Sequence, residues 1–557
     1  MKTTISILFL FLLTLSVSHA QRVRPLWAKS MGGVYSDAGW SNAVDDAGNV
    51  YVTGFFTGPL TLDTGSRAIT LPNKNYRNDA FISKYDKNGT LNWVKSFGDS
   101  LDEVGKKIVV DGSGNIYVAG LYQGTVDFDP GVKKIELKAK SSTGVFLVKY
   151  DSSGKFIWAN DIPIPEPNSG YTSTIALTID HSNDIYISTT SGISKMDTNG
   201  KQLWNTKFVG NDHFFVFSCT ADSDKNLYLT GEYNGFVDLD TTMKNDYLRN
   251  KLGSYDGFIL KLDSTGKFRW VRGIATTSQY YGSSSPTTSV VLDGKGYLYV
   301  AGYFQERITF DSLTPSLNFL NRGNSDMFIA KLDTAGMYMW TKQIGGNSTD
   351  IATSIVLDTQ GMLYLTGSFT GSIDFDPGPE IHPIITNFNG GANRIFVSKY
   401  DTAGRYIWAE YIGVSEDGRA TGRSITINKS GEIILTGEYS DICDFDPGIG
   451  TSYLSSAGYS DCYVVKLRQI TTDVPEPLTF ATVLYPNPTT GAVTLEFGTS
   501  ISNGRLRLIN LLGQTIVERD ELSGESCNID LTGQASGMYL VEISSGGEVM
   551  RRNLVKE

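Results

Sequence analysis

The sequence predicts an all-β protein in which seven four-stranded sheets pack around a common axis, followed by a small C-terminal β-sandwich. Three observations point there. A tryptophan recurs in one context, at Trp27, Trp93, Trp158, Trp204, Trp270, Trp340 and Trp408, and only Trp40 stands outside it. Six of the seven close a common string, KYDKNGTLNW in the copy ending at Trp93 and KYDTAGRYIW in the copy ending at Trp408. Between the tryptophans a second string recurs, DDAGNVYVTG (45–54) in the first copy and DTQGMLYLTG (358–367) in the sixth. Internal repetition at this period is the signature of an array of equivalent units.

Each unit reads as four strands. Segments such as TSIVLD, MLYLTGSF, RIFVSKYD and RYIWAEYI are rich in β-branched and aromatic residues, as pleated, buried strands require. The D-x-x-G strings between first and second strands, and between third and fourth, are hairpin turns: Asp caps backbone N–H groups ahead of it and Gly takes the left-handed position. The tryptophan opens the fourth strand, where it is expected to fill the wedge between sheets, at a cost of about 3–5 kcal/mol if truncated. Radial repetition leaves only short protected sheet edges, so the units predict a β-propeller. The chain starts with an orphan tryptophan strand, RVRPLWAKS, and the seventh copy stops at CYVVKL without one. The orphan is therefore expected to complete the seventh blade and close the ring. The third copy is short, with a tight turn in place of the connection that elsewhere carries strings such as TVDFDPG and SIDFDPG.

Composition narrows the function. With 59 acidic and 48 basic residues the formal charge is −11, which argues against a nucleic-acid footprint of clustered Lys and Arg. Residues 1–20, MKTTISILFLFLLTLSVSHA, combine a basic start, an apolar run and small residues before Gln21, and read as a secretory signal peptide. No later segment approaches the ~20 apolar residues of a membrane span. The four cysteines, Cys219, Cys443, Cys462 and Cys527, are too few for a disulfide framework; Cys443 and Cys462 either pair or stay as buried thiols. The domain boundaries expected are 1–20 signal peptide, 21–469 propeller, 470–483 Pro-interrupted linker and 484–557 tail.

The string Y-V-x-G, then V-D-F-D-P-G, then F-x-x-K-Y-D-x-x-G-x-x-x-W resembles the bacterial β-propeller repeat called SBBP, over roughly residues 25–468. The tail resembles the type A C-terminal sorting domain of the type IX secretion system of Bacteroidetes: YPNP at Tyr485–Pro488, the central LINLLGQ, GMYLVEI and the basic MRRNLVKE follow in order. That resemblance implies export by the leader across the inner membrane, then by the tail through the type IX machinery, to the cell surface or the medium. The repeat resemblance implies a fold and no activity. In the tail itself, seven or so short strands are expected.

Several residue sets are candidate sites. The pairs Asp127/Asp129, Asp238/Asp240, Asp374/Asp376 and Asp444/Asp446 put two carboxylates on one strand face, an arrangement open to Ca²⁺ or to turn capping. Asp222-x-Asp224-x-Asn226 imitates a calcium loop but falls on a hairpin turn. Asp37, Glu103 and Asp350 each lie eight residues before the turn Asp of their repeat, at the expected mouth of the innermost strand, where acids attract a cation or sugar hydroxyls or are simply solvated. The long, diverse connections define one loop-rich face with Tyr280, Tyr281, Glu416, Asp417 and Arg419, the default binding surface. His181, His213 and His382 have no catalytic or metal-ligand spacing, and no cofactor is implied. The expected function is a secreted or surface binding or adhesion module for a glycan or protein; a polysaccharide hydrolase or lyase, and a structural surface component, are the alternatives.

Overall fold

The computed structural model describes residues 21–556 apart from 64–67, 74, 130–133, 164–173, 191, 211–212, 240–246, 251–253, 277–281, 311–317, 380–382, 386–391, 416–417, 448–450, 472–481, 486–488, 511–513 and 546–547. The leader lies outside the described residues. These contain strands and turns and no helix, so no helix is long and apolar enough to cross a membrane. Residues 22–470 form one compact unit, and 471–557 belong to another.

In the larger unit each repeat builds an antiparallel four-stranded sheet. The first comprises Asp37–Val44, Val50–Thr57, Asn78–Tyr85 and Leu91–Phe97, in that spatial order. Its turns form as the D-x-x-G strings dictate: Asp86 Oδ1 accepts from the N–H groups of Asn88 and Thr90, each at 2.8 Å, and Gly89 has φ +82°. The seventh repeat supplies Ala420–Ile427, Ile433–Tyr439 and Asp461–Thr471, and the fourth strand hydrogen-bonded beside them is the amino-terminal Gln21–Gly32. First strands of consecutive sheets lie against one another, and Ala420–Ile427 also lies against Asp37–Val44.

Core residues are shared between neighbouring sheets. Tyr51 and Ile82 of the first pack with Val118 and Phe146 of the second; Val52 and Phe81 of the first pack with Ile434 and Val464 of the seventh. The tryptophans sit differently from the expectation. Six of the seven are half-buried, and Trp408 alone is fully buried. Each of the six docks at the sheet margin on the next sheet's turn glycine, as Trp27 does on Gly89 and Trp158 on Gly200. Trp27 Nε1 donates to Lys87 O at 3.2 Å and Trp158 Nε1 to Thr198 O at 3.2 Å. The wedge core is filled instead by Tyr, Phe and aliphatic side chains of the second and third strands.

The connection between second and third strands is a short hairpin that reaches back to the preceding sheet. Leu60–Leu62 pairs with the amino-terminal strand through Met31–Leu62, and Ser372–Asp374 pairs with the fifth sheet through Gly345–Asp374. The third repeat, whose second and third strands are joined directly, has no such latch.

In the smaller unit the described strands number five rather than seven: Thr482–Tyr485, Ala492–Asn510, Thr515–Asp530, Gly537–Ser545 and Glu548–Lys556. Two of them are long, and register shifts between Glu496 and Leu506 break up what reads in sequence as separate strands. Leu506, Leu508, Val541, Ile543 and Leu554 form its core.

Candidate binding site

The first strand of six repeats carries a β-bulge at one position. Pairing with the second strand skips Trp40, Lys106, Phe217, Thr288, Thr353 and Arg423. Each lies five residues before the turn Asp or, for Arg423, before Asn428. A bulge leaves one residue unpaired and re-aims its side chain. All six, with Ile175 at the equivalent place in the third repeat, line a single cavity of about 440 Å³.

The bulge explains two other features of the repeat. It throws a carbonyl over the second strand, where only glycine fits: a Cβ on Gly54, Gly120, Gly231, Gly367 or Gly437 would run into the oxygen of Ala38, Val104, Phe215, Ile351 or Thr421. The third repeat has Thr189 at that place, and its ladder with the first strand ends one pair short of it, at Ala176–Ser188. The residue after the bulge is most often serine, and its hydroxyl reaches the next sheet. Ser41 accepts from Ile108 N at 3.3 Å, Ser289 from Ile355 N at 3.2 Å, Ser354 from Ile425 N at 3.5 Å, and Ser424 from Asn42 N at 3.3 Å.

Charge in the cavity is uneven. Lys106 Nζ lies 3.5 Å from the Trp40 ring centroid and the Arg423 guanidinium carbon 4.1 Å from it, within cation–π range. Burial, then the charges of Arg423 and Lys107, depress Lys106 to about 8. Burial also depresses Lys107. Arg423 Nη2 donates to Glu438 at 2.6 Å. On the far wall Glu232 accepts from the Ser284 hydroxyl at 3.0 Å; burial raises its carboxyl, and burial plus that charge push the Tyr303 phenol up to about 12. Among the described residues Trp40 Nε1, Arg423 Nε and Thr174 Oγ1, all on groups lining the cavity, are buried without a hydrogen-bond partner.

The acids expected at the mouth are buried caps. Asp37 accepts from Gly33 N at 2.7 Å and Thr57 N at 3.0 Å; Glu103 accepts from Asp99 N and Gln123 N; Asp350 accepts from Gly346 N at 2.7 Å. Burial outweighs those donors and raises Asp37 and Asp350 to about 8 and Glu103 to about 7, with Asp461, Asp79 and Asp326 adding repulsion. They are neither a solvated fringe nor part of the cavity wall. Tyr280, Tyr281, Glu416 and Asp417 lie outside the described residues. Arg419 is exposed, and its N–H donates to the Ser440 hydroxyl at 2.9 Å.

The first member of the D-x-D pairs caps its own loop. Asp127 Oδ1 accepts from Asp129 N and Ile135 N, Asp374 from Asp376 N, and Asp444 from Asp446 N and Ser452 N. Asp238 has a partner, and Asp240 lies outside the described residues. Among the described residues no three His, Cys, Asp or Glu side chains converge as a metal site. Asp222 caps its hairpin through Asp224 N and Asn226 N. All four cysteines are free, Cys443 and Cys462 both buried, so they do not pair.

The cavity residues escape a search by residue type because they share a position and not a chemistry. Their signal is phase: the mouth acids lie eight residues before the turn, and the inward-facing bulge lies at five.

Residues 92–121 match the family model described as a beta-propeller repeat, and 483–557 match that of the secretion system C-terminal sorting domain. The sorting-domain match indicates export to the cell surface or the extracellular space. Over 425 residues the chain is 24% identical to an uncharacterized WD repeat-containing protein of Acanthamoeba polyphaga mimivirus, covering 62% of this chain and 30% of that protein. Over 231 residues it is 25% identical to the regulatory protein FlaEY of Caulobacter vibrioides, covering 39% of this chain and 23% of that protein. The chain thus spans less than a third of the length of either relative. Among solved structures it is similar to virginiamycin B lyase from Staphylococcus aureus (10% identity, TM-score 0.37, covering 80% of this chain and 100% of that one). It is also similar to the Pan2 WD40 domain of Neurospora crassa (8% identity, TM-score 0.37, covering 76% and 88%).

Proposed function

We propose that the chain is an exported binding module: a seven-bladed β-propeller closed by its amino-terminal strand, with the ligand seated in the axial cavity. One observation carries the reading. Equivalent positions of all seven repeats converge on one cavity of about 440 Å³, a size typical of ligand pockets, and their side chains differ from repeat to repeat where the turns and sheet contacts do not. A repeated scaffold with a varied axis is what selection for a ligand leaves. Among the described residues of the wall Glu232 is the one carboxylate, whereas glycoside hydrolysis calls for a pair about 5–9.5 Å apart. Binding is therefore favoured over hydrolysis.

In this reading the leader delivers the chain to the periplasm and residues 484–557 engage the type IX machinery. A reporter fused to residues 471–557 in a type IX-competent host tests the second step: it should reach the surface or medium, and retention in the periplasm contradicts it. A glycan array probed with the chain and with Trp40→Ala tests binding. Signals on defined saccharides that vanish with the variant support the axial seat. An array silent with both, or equal with both, contradicts it.

A further inference from the structure

We infer that the axial cavity is a seat for a small carboxylate anion, held between Trp40, Lys106 and Arg423. The inference deepens the binding reading above and rests on it. Two observations independent of charge count point to an acceptor-rich ligand. Trp40 Nε1 and Arg423 Nε are donors only, both are on side chains that line the cavity, and neither has a partner in the protein. Leaving a buried donor unmade costs about 1–3 kcal/mol, and a small turn of either side chain toward an acceptor oxygen in the cavity removes that cost.

The charge agrees with the geometry. Lys106, Lys107 and Arg423 come from the first strands of the second and seventh sheets, which flank the strand bearing Trp40. On that side Glu438 is the carboxylate paired with Arg423, through one nitrogen at 2.6 Å. Arg423 and Lys107 act on Lys106 as like charges, which an incoming anion relieves. Arg423 has donors beyond the one engaged by Glu438, and a guanidinium is suited to planar carboxylate recognition. The Trp40 indole, already contacted by both cations, supplies the flat apolar surface beside them, and Glu232 with the Ser284 hydroxyl on the opposite wall offers acceptors to hydroxyl or amide groups of the same ligand.

Isothermal titration of the full chain with D-galacturonate, N-acetyl-alanine and D-galactose tests it. The expected result is binding of galacturonate at least about tenfold tighter than galactose. Matching affinity for N-acetyl-alanine assigns the seat to carboxylates in general, and weaker affinity assigns it to sugar acids; both uphold the inference. Arg423→Gln and Lys106→Gln, each checked for an unchanged unfolding midpoint, should weaken galacturonate at least about tenfold. Galactose binding as tightly as galacturonate overturns the anion inference and leaves the axial seat standing. Silence from all three probes, beside a glycan array that responds through Trp40, likewise overturns the anion inference alone. Silence in both experiments overturns both.

Discussion

A single glycine shows how much of this structure is decided by one atom. Gly120 lies under the Val104 carbonyl that the bulge at Lys106 pushes outward, so a methyl group there has no room. Gly120→Ala should lower stability by roughly 1–3 kcal/mol, the usual cost of overpacking, read as a fall in the urea midpoint at unchanged slope. The recurrence of this glycine was visible in the sequence; its cause was not, because the carbonyl that demands it belongs to another strand.

The buried caps make a second residue-level prediction. Asp37, Glu103 and Asp350 are raised to about 8, 7 and 8 in the fold, against ordinary values near 4, so folding takes up protons. Their contribution is complete below pH ~4 and is lost as pH rises through 7 to 8. Urea midpoints should therefore fall between about pH 5 and pH 8 and level off above that. Asp350→Asn, which keeps an acceptor for Gly346 N without the charge, should flatten that fall, and an unchanged slope would contradict the assignment.

At the scale of elements, the hairpins, strands and D-x-x-G turns were legible because their signals are local. The latches and the tryptophan sites were not, because both depend on a neighbouring sheet. The latch residue Phe128 is fully buried against Phe97, Tyr122 and Phe146, whereas Trp93 is half-buried at the margin. Phe128→Ala should cost about 3–5 kcal/mol and Trp93→Ala roughly 2 kcal/mol, the reverse of what the conspicuous repeat of tryptophan suggests. Thermal midpoints of the two variants decide the order. Likewise the long strands of the tail unit read as several short ones, since register shifts interrupt their alternation without ending their pairing.

For the propeller unit, the account depends on the seventh sheet meeting the first as every other pair meets. The contacts repeat there in kind. Ser424 accepts from Asn42 N as Ser41 does from Ile108 N. Trp27 docks on Gly89 as Trp93 does on Gly154. Lys466 Nζ donates to Lys87 O as Lys84 Nζ does to Ser152 O. A cavity lined by all seven repeats exists only if that junction holds. Amide hydrogen exchange of the segment 22–33 measures it most directly. Closure predicts that these amides, in a strand hydrogen-bonded beside Asp461–Thr471, are protected for hours, to the same degree as the internal fourth strand Leu91–Phe97. Exchange of 22–33 within seconds, while Leu91–Phe97 stays protected, would mean an open ring and would contradict the account.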